Sequence, residues 1–120
     1  MLEVINLDDK LAQFDEHWSP RIIAELNGQQ VKLAKVQGEF VWHSHEGEDE
    51  LFLVLHGRFN LRLPDGEVSI GPGEMYLVPR GVEHCPWAEE ETHVLVFEPV
   101  STKHTGDVDS PMTVDDQERI

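Results

Sequence analysis

The stretch that decides the fold is Trp42-His43-Ser44-His45-Glu46-Gly47-Glu48-Asp49-Glu50, which runs directly into Leu51-Phe52-Leu53-Val54-Leu55. In an extended strand, side chains two apart share a face. His43 and His45 therefore aim at one point, and a carboxylate returns to it if residues 46–49 turn tightly. Glu46, Glu48, Asp49 and Glu50 are the carboxylates on offer. Two imidazoles and a carboxylate converging on one side of a sheet have the chemistry of a transition-metal site. The branched and aromatic run from Glu50 to His56 reads as a strand. Parity puts Phe52, Val54 and His56 on the face of Glu50, with Leu51, Leu53 and Leu55 turned toward a second layer or a partner.

Working outward, the β signals recur. Arg21–Leu26 and Val31–Val36 read as strands around Asn27-Gly28, a strong hairpin signal, and Glu39–His45 reads as a further strand after Gly38. Downstream, Phe59, Leu61 and Leu63 alternate with Arg58, Asn60 and Arg62. Pro64-Asp65-Gly66 turns into Glu67–Ile70, and Gly71-Pro72-Gly73 into Glu74–Val78. Glu83–Ala88 is expected as a short strand, Glu89-Glu90-Glu91 as an acidic loop, and Thr92–Glu98 as the last strand. Before all of this, residues 1–5 read as a short strand. Leu7, Leu11 and Phe14 fall at helical spacing, giving a short helix over about 8–15, capped by Asn6 or Asp8 and ended before Ser19-Pro20. About nine short strands with turn chemistry between them describe an antiparallel all-β sandwich or barrel. The domain is expected over 1–100, with the barrel from about 21 to 100. Residues 101–120, polar and acidic without an apolar period, are expected as an extended tail.

At 120 residues the chain suits one domain with its own core. It has 9 basic and 24 acidic residues, a formal charge of −15. That balance opposes nucleic acid and anionic lipid, which both need a basic footprint. No stretch reaches the roughly 18–20 apolar residues that span a membrane, and the start lacks the pattern of a signal peptide. Cys85 is the single cysteine, so no internal disulfide forms. A cytoplasmic location is the expectation.

A second segment, Gly73-x5-Pro79-x-Gly81-x2-His84, lies some thirty residues after the first. Together with His43-x-His45-x4-Glu50-x6-Gly57 it resembles the two motifs of the cupin superfamily. Those motifs have the forms G-x5-H-x-H-x3–4-E-x6-G and G-x5-P-x-G-x2-H-x3-N. This chain has four residues between Gly38 and His43, and Ala88 where the second motif has Asn. Neither departure touches a ligand position. The resemblance covers about residues 30–100. It implies a double-stranded β-helix, the jelly-roll barrel, with metal ligands at His43, His45, Glu50 and His84. Glu50 is preferred over its neighbours because it opens the apolar strand and keeps the family spacing to Gly57. The donor set suits one divalent transition metal per subunit (zinc, iron, manganese or nickel), and a six-coordinate ion would keep two positions for water or substrate.

The resemblance further implies a homodimer and a small-molecule ligand. Small cupins that resemble this chain often carry a mannose-6-phosphate-isomerase-like label. A metal-dependent isomerase, lyase or dioxygenase acting on a small polar metabolite is the expected activity. A non-catalytic sugar- or small-molecule-binding module is the alternative. Four further residues are pocket candidates. Arg80 lies in the Pro-x-Gly turn near His84 and could pair with an anionic substrate group. Phe52 and His56 share the Glu50 face, and His93 alternates with Leu95 and Phe97. Phe40, Trp42 and Trp87 flank the ligands as apolar walls or core. Cys85 points away from the site by alternation and reads as a small buried apolar residue.

Overall fold

The computed structural model describes residues 3–120. One short helix, α1 (Leu7–Leu11), precedes seven strands: β1 (Arg21–Leu26), β2 (Gln29–Glu39), β3 (Glu50–His56), β4 (Phe59–Leu63), β5 (Gly66–Ile70), β6 (Met75–Val78) and β7 (Cys85–Pro99). Asn6 caps α1 by accepting from Asp9 N at 3.0 Å. The helix is shorter than expected, because the chain turns at Ala12 and Gln13. The strand expected over residues 1–5 does not form in its described part, residues 3–5; Met1 and Leu2 lie outside the described residues.

Among the described residues the paired strands are all antiparallel, in the order β1-β2-β7-β3-β6, with β4 joining β5 and the start of β7. The β1–β2 turn has Asn27 and Gly28 at φ 51° and 76°. This is the left-handed pair that a tight hairpin needs, and Asn and Gly tolerate it best. The fold is the expected all-β jelly-roll barrel, with a single short helix among the described residues.

β7 organises the barrel. It pairs β4 through Cys85–Trp87, then β2 and β3 along the rest of its length. The separate strands expected over 83–88 and 92–98 are thus one strand. The acidic run Glu89–Glu91 is a bulge in it, three residues set against the single Gln37 of β2. A bulge bends a strand and keeps three charges in water while the strand continues.

The inner face holds the core: Ala34, Val36, Phe52, Val54, Phe59, Leu61, Ile70, Val78, Val94 and Val96 are all buried. A smaller cluster on the outside of β2 seats Leu11 and Phe14 on Leu33, with Leu55, Leu95 and Ile120 at its edge. The tail is tied down where an extended surface segment was expected. Ile22 N donates to Glu118 O at 2.9 Å and Ile120 N to Ile22 O at 3.0 Å. Thr102, His104 and Thr105 are buried.

Candidate metal centre

His43 and His45 leave β2 on a non-strand segment, Glu50 opens β3, and His84 immediately precedes β7. The expected strand over 39–45 ends at Glu39, but its parity survives in an isolated antiparallel bridge between His43 and His84. His43 N donates to His84 O at 3.0 Å and His84 N to His43 O at 2.9 Å; Gly81 N donates to His45 O at 2.8 Å. Backbone ladders therefore hold the two halves of the site in register. Ligand atoms of His43, His45, Glu50 and His84 lie within 4.8 Å of one another, and all four residues are buried.

The donors are prepared to bind. His43 Nδ1 donates to Val41 O at 2.8 Å and His84 Nδ1 to Val82 O at 2.9 Å. A carbonyl only accepts, so each Nδ1 carries the hydrogen and each Nε2 keeps its lone pair. Burial, with His84 next to it, pushes the His43 pKa down to about 4, so this ring is neutral near pH 7. Burial alone would lower His45 too, but the Glu50 carboxylate, 3.3 Å away, raises it above the ordinary histidine value. Burial also opposes ionisation of Glu50. Glu98, His45 and His84 outweigh that, and hold Glu50 well below the usual carboxylate range.

Four buried polar atoms here lack any hydrogen-bond partner: His45 Nδ1, His45 Nε2, Glu50 Oε1 and His84 Nε2. Orphaned polar atoms in a dry interior cost roughly 1–3 kcal/mol each unless something satisfies them. Clustered lone pairs from three imidazoles and one carboxylate fit a divalent transition metal. The cluster could hold such an ion.

Behind Glu50 stands a pair that the sequence pattern did not reveal. Lys32 and Glu98, each 1% exposed, meet at 2.7 Å. Burial first, and then the adjacent Glu50, raise the Glu98 carboxyl well above its ordinary value. Lys32 occupies Glu98 Oε1, while Glu98 Oε2 is buried without a hydrogen-bond partner. Glu50 and Glu98 come together because the β3–β7 register that sets Leu51 opposite Phe97 places them next in line.

His43 and Glu50 border an apolar cavity whose wall includes Phe52, Phe40, Phe59, Val94, Trp18 and His104. Phe40 stacks on Trp18 (centroids 4.6 Å, planes 16° apart) and meets the His43 ring edge-on at 5.5 Å. Trp18 holds a left-handed φ of 58°, a costly conformation for a bulky residue. Its backbone N donates to Lys35 O and its indole to Gln37 O, both at 2.9 Å.

Of the four pocket candidates, Phe52 lines this cavity and the other three stand elsewhere. The β3–β7 register slips between Val54 and His56, so parity fails at the strand end and His56 is exposed. On β7 the buried set is Val94, Val96 and Glu98, which turns His93, Leu95 and Phe97 outward. Arg80 is exposed and bonds Asp49 through its backbone N at 2.8 Å. Among the flanking aromatics, Phe40 is on the cavity wall, Trp42 is largely exposed, and Trp87 bonds Glu67. Cys85 is fully buried, and burial raises its thiol pKa.

Residues 29–100 match the family described as "Cupin domain". The crystal structure of a cupin-2 domain containing protein from Shewanella frigidimarina superposes with a TM-score of 0.79 at 50% identity, covering 80% of this chain and 94% of that one. An uncharacterised Bacillus subtilis protein, YdbB, is 38% identical over 63 residues, 52% of this chain and 56% of its own. A 3-hydroxyanthranilate 3,4-dioxygenase of Xenopus laevis is 32% identical over 106 residues, 82% of this chain and 37% of its own. The chain thus spans about half of one curated relative and about a third of the other.

Proposed function

The chain belongs to the cupin domain family, and from that premise we propose that it is a metal-dependent enzyme acting on a small, flat, largely apolar organic molecule, most simply as a dioxygenase. The observation that carries this reading is the adjacency of the ligand cluster to a cavity walled by aromatic rings and aliphatic side chains. His43, His45, Glu50 and His84 would hold the ion. When bound, it would supply Lewis acidity and, as iron, redox chemistry with O₂. The apolar wall would bury the ring of a substrate, and Phe40 with Trp18 would fix its plane by stacking. Excluding water there strengthens every electrostatic interaction at the site.

A polyhydroxylated sugar finds few partners on such a wall, because Lys32 and Glu98 are bonded to each other and His104 to the tail backbone. The wall thus favours a flat, largely apolar ligand over a sugar. The Xenopus relative, named as a dioxygenase, lends support from a different direction. A homodimer is part of the proposal. Met75 and Leu77 on β6 are exposed, and the outward Leu51 and Phe97 on the adjacent strands extend that apolar face. Among the described residues no helix is long and apolar enough to cross a membrane, and a single buried thiol is compatible with the cytoplasm.

The test is purification without an affinity tag under anaerobic conditions, metal analysis, and oxygen uptake with hydroxylated aromatic acids as probes. Iron near one equivalent with substrate-dependent O₂ consumption is expected. Metal-loaded protein that consumes no O₂ with any iron load, yet binds the same probes, would move the assignment to the binding module. Sedimentation of wild type and Leu77→Glu tests the dimer; the variant is expected to be monomeric.

A further inference from the structure

We propose that residues 101–108, beyond the stretch that matches the family, clamp the ligand-bearing segment His43–His45, with Asp107 and Gly106 as positioning residues. The inference rests on the reading of the four-residue cluster as a metal centre. In an extended segment, successive residues turn their backbone groups to opposite edges. On one edge, His43 is bonded to His84 and His45 to Gly81. The opposite edge belongs to Ser44, between the two histidines, and a single residue occupies both of its groups. Asp107 N donates to Ser44 O at 3.0 Å, and Asp107 Oδ1 accepts from Ser44 N at 3.0 Å. Without this segment the edge would carry an unpaired donor and acceptor beside the ligands, and without the Asp107 carboxylate alone an unpaired Ser44 N–H.

Gly106 sets how closely the clamp seats. Its φ is +58°, and a Cβ there would overlap the Ser44 carbonyl oxygen and stand 3.1 Å from His43 Cδ2. Any side chain would press on the ring of a proposed ligand or lift the clamp away. The clamp is itself anchored from behind. Thr105 is fully buried and bonds Thr113 at 2.7 Å, His104 bonds Met112 O at 2.9 Å, and Ser101 Oγ reaches Glu48 at 3.3 Å on the ligand loop. The clamp therefore touches the site on both sides of His45.

The experiment is chelator competition for Zn(II) and Co(II), with Co(II) absorption spectra and apoprotein melting curves, on wild type, Asp107→Ala, Asp107→Asn and Gly106→Ala. Asp107→Ala and Gly106→Ala should weaken metal binding by about 10–100-fold, the range for groups that orient ligands, and should alter the Co(II) spectrum. Asp107→Asn retains the Oδ1 acceptor and should stay near wild type. If Gly106→Ala does not fold, the two Asp107 variants decide the matter. Wild-type affinity and spectrum in Asp107→Ala, whatever its melting temperature, overturn the clamp. Equal losses in Asp107→Asn and Asp107→Ala overturn the hydrogen-bond basis. Failure of wild type itself to bind either metal overturns the metal-centre reading underneath, and is seen before any variant is made.

Discussion

The chain carries two clusters of three histidines and a glutamate, and they have opposite characters. Inside the barrel, His43, His45, His84 and Glu50 are at most 4% exposed, and four of their polar atoms are without partners. At the rim, Glu91 bonds His17 at 2.8 Å through one oxygen and lies 3.4 Å from His93 through the other; the His56 ring sits 5.1 Å from that of His93. The rim groups are half in water, and hydrogen bonds and solvent satisfy them. Their glutamate is lowered chiefly by the hydrogen bond with His17. Residue type alone does not make a ligand set. Burial, backbone-fixed tautomers and unspent lone pairs do, and only the inner cluster has all three.

The sharpest way to break that contrast is to empty the inner cluster. Changing a group that merely orients a ligand costs about 10–100-fold in affinity, so Glu50→Ala or His84→Ala should exceed ~100-fold. Both variants should leave the protein metal-free after dialysis while far-ultraviolet dichroism stays unchanged. Glu91→Ala should retain full metal content. Equal loss in Glu91→Ala would put the ion, or a second one, at the rim.

Next in size is the support behind Glu50. Lys32→Met leaves Glu98 Oε1 without its partner in the barrel interior, and an orphaned buried polar group costs about 1–3 kcal/mol. Chemical denaturation should show that loss. Lys32→Met with Glu98→Leu should recover most of the stability, since paired apolar replacements are often neutral. It should not recover the metal affinity, because the carboxyl of Glu98, which helps to hold the Glu50 pKa down, is then gone. His17→Ala, which removes only a half-exposed rim contact, should change stability within about 1 kcal/mol.

How much of this the sequence discloses follows from how local each constraint is. His43, His45 and Glu50 are legible because strand parity and one tight loop bring them together within eight residues, and the spacing around His84 repeats a family pattern. Glu98 and Lys32 are 66 residues apart and meet only through the β2–β7–β3 register, which no single segment encodes. His93 misleads because alternation reveals two faces without saying which is inner. The continuous β7 was hidden by three glutamates that look like a loop and act as a bulge. His104 and Asp107 sit among small polar residues with no period, and only the fold brings them back onto the site.

The smallest expected effect separates inner from outer histidines by pH. Burial lowers the His104 pKa below its ordinary 6.5, and the ring enters the cavity wall neutral, accepting from Val114 N and donating to Met112 O. The unfolded chain takes up a proton near pH 6.5 that the folded chain refuses. Stability from this group is therefore complete above pH 6.5 and falls progressively as the pH drops from there through the lowered folded value. At most one proton governs the slope. His104→Gln, which keeps a donor and an acceptor but does not titrate, should flatten that part of the stability–pH curve in the metal-free protein. Substituting the exposed His56 in the same way should leave the curve as it was. An unchanged slope in His104→Gln would mean that the ring charges inside the barrel, and that the cavity wall is wetter than its apolar lining implies.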